Sequence, residues 1–97
     1  MDFKQMKERA SDVSEVLKVM SHPERLFVLC QLSEGEVGVG QLQSSSNLSQ
    51  SAFSQHLSVL RRARLVTIRK ESQHVYYSLK DKRIIDLVKH IHSIYSE

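Results

Sequence analysis

The chain has one cysteine, one proline, three glycines and no tryptophan in 97 residues. A solitary Cys30 excludes an internal disulfide. So little proline and glycine leaves no linker-like stretch, and apart from a serine cluster at 44–46 there is no low-complexity tract or internal repeat. No apolar run approaches the roughly 20 residues that span a bilayer, and no signal peptide is visible. These absences predict one domain over residues 1–97, without a tail or a membrane anchor, working in the cytoplasm. Catalytic signatures are missing as well: no nucleophile elbow, phosphate loop, HExxH or CxxC accompanies the five histidines, and a chain of this length leaves little concave volume for a substrate. Neither an enzyme nor a cofactor is expected.

What is present is a mildly basic chain, formal charge +3 and pI near 9.2, a balance that favours DNA without indicating a polycationic tail. Residues 38–79 carry the strongest pattern. Ser49 is an N-cap residue type placed just before a stretch with helical apolar spacing. Ala52, Phe53, Leu57 and Leu60 recur at three- and four-residue steps, which gathers them on one face. The opposite face carries Gln50, Ser51, Ser54, Gln55 and His56, short or amide-bearing side chains able to donate to and accept from base edges. Recognition helices put such residues near the N-terminus, the end that enters the major groove, where all four base pairs are distinguishable. Arg61 and Arg62 close the helix as expected phosphate contacts. The plainer reading is a polar solvated face with two surface arginines. Against it stand the short preceding helix in GVGQLQSS and a basic hairpin that follows.

That hairpin is read from LVTIRK and HVYYSL, each with β-branched or aromatic residues in alternation, separated by a polar loop ESQ. Arg69, Lys70, Gln73 and His74 then cluster at an exposed tip, where they can reach phosphates or a minor groove. Short helix, turn, second helix and basic hairpin together spell a winged helix-turn-helix.

Three further helices are expected. One covers about residues 2–20, with Val13, Val16, Leu17 and Met20 as its stripe. A second opens at Ser21-His22-Pro23-Glu24, with Ser21 as cap, Pro23 in the first helical position and Glu24 where a capping box wants it, and runs to about residue 34, ended by Gly35. The last starts near Asp81 and carries Ile84, Ile85, Leu87, Val88, Ile91, Ile94 and Tyr95. This apolar content exceeds what one face of a monomer needs, and a small domain often recruits a second subunit. A homodimer presenting a two-fold reader to double-stranded operator DNA is the expectation.

MSHPERLFVLCQLSEGEVGVGQL, LSQSAFSQHLSVLRRARLV and RKESQHVYYSL resemble the ArsR/SmtB family of bacterial winged-helix repressors over nearly the whole chain. LC in the second helix together with LSQSAFSQHL resembles the HlyU/BigR/SqrR-like branch. The resemblance implies a mainly α fold with a small β-hairpin, in the order helix, helix, helix, helix, strand, strand, helix, with the first and last helices at a dimer interface. It implies a sequence-specific regulator, repressor or anti-repressor, released by an inducer that the sequence does not name. The alternative is a winged-helix protein-interaction module that does not read DNA. One departure is Arg64, where the family commonly has Gly, so the turn into the wing is expected to adopt a strained or different backbone.

Sensing sites implied by the resemblance match poorly. A thiol-rich metal site would need cysteines where Val39 and Gly40 stand. In the site on the last helix Asp81 and Glu97 match, but Arg83 and Ser93 replace the imidazoles, and two carboxylates without nitrogen ligands make a poor zinc site. His90 and His92 point to different faces of the helix. No metal is expected. The branch pairs a cysteine at the position of Cys30 with one near the end of the last helix, where this chain has Ser96. Cys30 is thus either a small buried hydrophobe or a candidate single-thiol redox or sulfur-species sensor.

Overall fold

In the computed structural model, which describes residues 1–97, eight elements follow one another in the order α1 Phe3–Met20, α2 Pro23–Leu32, β1 Val37–Gly38, α3 Val39–Ser44, α4 Gln50–Arg62, β2 Val66–Glu71, β3 His74–Leu79 and α5 Lys82–Tyr95. The expected helix and strand order is present. The addition is β1, two residues that pair with β3 at Val37–Tyr77 and Gly38–Tyr76, making a three-stranded antiparallel sheet ordered β1-β3-β2. Two residues are too few for a periodic signal, which is why the sequence hides them.

Local chemistry sets most boundaries. Asp2 caps α1 by accepting from the Gln5 amide at 3.0 Å, and Ser21 closes that helix by donating its hydroxyl to the Lys18 carbonyl at 2.6 Å. Ser21 is therefore a C-terminal residue of α1 and not the cap of α2. The cap is His22, whose Nδ1 accepts from the Glu24 amide, with Pro23 in the first turn. α2 stops short of Glu34 because the Ser33 amide and hydroxyl both turn back to the Cys30 carbonyl. Gly35 then takes a φ of +135°, open to glycine.

Ser49 caps α4 as expected, accepting from the Ala52 amide at 3.2 Å. At the other end the Leu65 amide donates to the Leu60 carbonyl and the Arg64 amide to the Arg61 carbonyl. This is a Schellman closure, with buried Leu65 against buried Leu60 completing it. Arg64 occupies its left-handed position at φ 61°. The wing turn is tighter than expected: Glu71 pairs with His74, leaving only Ser72 and Gln73 between the strands, and Ser72 has φ 55°.

The core comprises 13 buried apolar residues, drawn mostly from α2, α4, the sheet and α5, with Val28, Leu29, Leu32, Leu42, Phe53 and Leu60 at its centre. Their burial fixes α4 by its Phe53, Leu57 and Leu60 face. α1 contributes Met20 alone, although it is the longest helix.

Candidate nucleic-acid interface

Fixing α4 by one face leaves the other in solvent. Gln50, Ser51, Ser54 and Gln55 are exposed, as are Arg61 and Arg62. Two open grooves flank the helix. One, of about 620 Å³, lies between α4 and the wing and includes Ser54, Arg61, Lys70, Gln73 and His74. The other, of about 560 Å³, runs along Ser51, Ser54, Gln55 and Arg62. Ser54 lines both and so stands on the crest between them.

The cations along this crest are unpaired. Arg61 donates to Ser58 Oγ at 2.8 Å, and the ion pairs in the structure are Arg69 with Glu36 and Glu71, and Arg83 with Asp81. Arg61, Arg62 and Lys70 thus carry uncompensated charge, the state suited to a phosphate backbone. Gly38 and Gly40 line the wing-side groove as well. A Cβ on Gly40 would meet nothing within 4 Å, so the start of α3 is open to a close neighbour.

Two of the expected contact residues are placed elsewhere. Successive strand residues face opposite sides of a sheet, and Lys70 shares the groove side with Ile68 and Tyr77. Arg69 therefore points away from α4. Its guanidinium lies over the Tyr76 ring, 4.5 Å from the centroid, and makes two bonds to Glu36, at 2.9 and 2.7 Å, besides one to Glu71. Hydrogen bonding to Arg69 holds the Glu36 carboxyl below its ordinary range. His56 also turns aside. It is half-buried, its ring centroid 4.1 Å from that of His22, with Arg25 Nη1 at 3.2 Å from its Nδ1. Both partners lie more than 30 residues away along the chain, and no local signal announces them.

No three His, Cys, Asp or Glu side chains converge to hold a metal ion. Asp81 is instead engaged by Arg83 at 2.7 Å, whose hydrogen bonds lower its pKa, while His90 Nδ1 lies 2.7 Å from the Asp86 carbonyl. Cys30 is a half-buried free thiol beside Ser33, Glu34, Lys89 and His92. Desolvation pushes its pKa up, which reduces the thiolate available for redox chemistry. No helix is long and apolar enough to cross a membrane.

Comparison with known proteins places this geometry. A profile described as bacterial regulatory protein, arsR family, matches residues 22–67. The transcriptional activator HlyU of Vibrio cholerae serotype O1 is 39% identical over 97 residues, covering 100% of this chain and 90% of the relative. A biofilm growth-associated repressor of Agrobacterium fabrum is 36% identical, covering 93% of this chain and 77% of its own length. Among solved structures, the transcriptional repressor BigR from Xylella fastidiosa superposes with a TM-score of 0.92 at 35% identity, covering 100% of this chain and 99% of that one. Reduced HlyU from Vibrio cholerae gives 0.89 at 39% identity, with 97% and 99% covered.

Proposed function

The chain belongs to the ArsR family of DNA-binding transcription regulators and is not an enzyme, and from that premise we propose that it works as a cytoplasmic homodimer reading a two-fold operator through α4. Ser54 and Gln55, with Gln50 and Ser51, meet base edges in the major groove. Arg61, Arg62 and Lys70 grip phosphates, and Gln73 and His74 meet the backbone at the wing tip. The observation that carries this reading is the crest of α4: small polar side chains in solvent, bordered by three cations with no carboxylate partner.

The dimer is assembled through α1 and α5. Phe3, Met6, Val13 and Leu17 on α1 and Ile94 and Tyr95 on α5 are exposed. A compact chain of this length has a radius of gyration of about 12.5 Å, against 14.4 Å here. Apolar side chains left in water on an extended helix favour covering by a second copy. Relatives include an activator and a repressor; this chain acts by occupying its operator, excluding either polymerase or another repressor.

Selection from a pool of random duplexes tests the reading. An enriched near-palindrome with half-sites about one helical turn apart supports it. An unenriched pool, with binding that competitor DNA abolishes, favours a protein-interaction module instead.

A further inference from the structure

Behind the recognition helix, side chains from distant stretches meet in one cluster. His22 caps α2, and its ring lies against His56 of α4 at a tilt of 39°. Arg25 bridges the elements: Nε donates to the Val19 carbonyl of α1 at 2.6 Å, and Nη1 approaches Nδ1 of His56 at 3.2 Å. Glu24 accepts from Ser46 Oγ at 2.6 Å, and that oxygen accepts in turn from the Leu48 amide in the turn between α3 and α4.

The protons in this cluster are constrained by chemistry. A guanidinium has only donors and so does a backbone amide, so Nδ1 of His56 facing Arg25, and Nδ1 of His22 facing the Glu24 amide, must each present a lone pair. An added proton on either Nδ1 removes the bond it accepts. At His56 it also sets a cation against Arg25.

We propose that Arg25 and His22 are positioning residues that seat the recognition helix through His56, and that protonating this imidazole pair loosens the seat and weakens operator binding on acidification. The inference rests on α4 being the DNA-reading helix. The charged and titratable groups acting on His56 are His22, Arg25 and Glu24, from the cap and first turn of α2; α1 reaches the cluster through the Val19 carbonyl and the α3–α4 turn through Ser46. Desolvation first, then His22 and Arg25, hold His56 below the ordinary histidine value of 6.5, with Glu24 opposing. Because the unfolded chain then binds the proton more readily, stability is full above that value and is lost as pH falls from it through the folded-state pKa.

The test compares wild type with His56→Gln, whose amide oxygen can accept from Arg25 without titrating, and with His22→Asn, which keeps a capping acceptor. Fluorescence anisotropy with the selected operator, at about pH 7.5 and about pH 5.5 and constant ionic strength, gives an affinity ratio for each protein, so absolute affinity does not enter. Wild type is expected to lose affinity several-fold on acidification. His56→Gln and His22→Asn should each lose less than wild type. Charging an exposed wing histidine such as His74 would strengthen phosphate binding, so the expected sign is opposite to a simple surface effect. NMR titration of the His56 ring in the DNA-free protein should show it protonating below the ordinary histidine range. Parallel pH profiles in wild type and His56→Gln, or a His56 ring that titrates at or above that range, would overturn the proposal. Failure of the DNA-reading assignment looks different: neither protein would prefer the operator at about pH 7.5, while the NMR titration would still report the state of the ring.

Discussion

Arg69 of β2 reaches across the Tyr76 ring of β3 to hold Glu36, just before β1, in a two-bond ion pair at 2.7 and 2.9 Å. The pair ties the wing to the segment that leads into α3, on the face of the sheet turned away from α4.

Lys70 rather than Arg69 should then be the wing's phosphate contact. Lys70→Ala is expected to weaken binding to all sequences alike and to lower the slope of log affinity against log salt by about one. Arg69→Ala should leave the slope nearly unchanged. Salt titrations of the two variants decide the matter, and a slope lost with Arg69 would mean that DNA displaces Glu36.

Arg64 sits at φ 61° in the left-handed position of the α4 closure, a conformation costing a side-chain-bearing residue about 1 kcal/mol relative to glycine. Arg64→Gly is expected to be more stable by that order, which for a chain of this size raises the midpoint of thermal unfolding by about 4–8 °C. An unchanged or lower midpoint would show that the arginine side chain contributes elsewhere.

The departure at Arg64 was legible because the resembling family commonly has glycine at that position. Helix α4 was legible for a different reason: its cap, apolar spacing and polar crest are local patterns, and Ser49, Phe53, Leu57 and Leu60 are placed as expected. What the sequence hid is long-range. Glu36 meets Arg69, and Arg25 meets His56, only after α2, α4 and the sheet have packed. Arg69 on a strand pattern and His56 on a helical wheel look solvent-facing. Ser21 and His22 are both competent acceptors for the start of α2, and His22 takes that role because the Ser21 hydroxyl is bonded to the Lys18 carbonyl of α1.

Ile94 is 72% exposed and Leu17 47% exposed, so replacing them leaves the core within one chain intact. Ile94→Glu combined with Leu17→Glu should place charges in the interface between copies and shift sedimentation from dimer to monomer at micromolar concentration, with helical content kept. A wild-type monomer that binds operator with full affinity would remove the dimer from the account.

Cys30 is half-buried and its thiol is pushed up by desolvation. Cys30→Ser should leave operator affinity unchanged, and wild-type binding should resist peroxide or persulfide, apart from a modest stability loss in the variant through a partly buried hydroxyl. Oxidant-driven release of DNA in wild type that vanishes in Cys30→Ser would establish this thiol as a sensor.

The most direct test of α4 as the base-reading element is the affinity of wild type and Gln55→Ala for the selected operator and for every single-base-pair variant of it, at one salt concentration. In wild type each mismatch should cost about 1–3 kcal/mol. Gln55→Ala should flatten that preference at one position in each half-site and leave the other positions and the salt slope as they were. A uniform loss across all variants, with the ranking of bases preserved, would contradict the account and move base reading to another element.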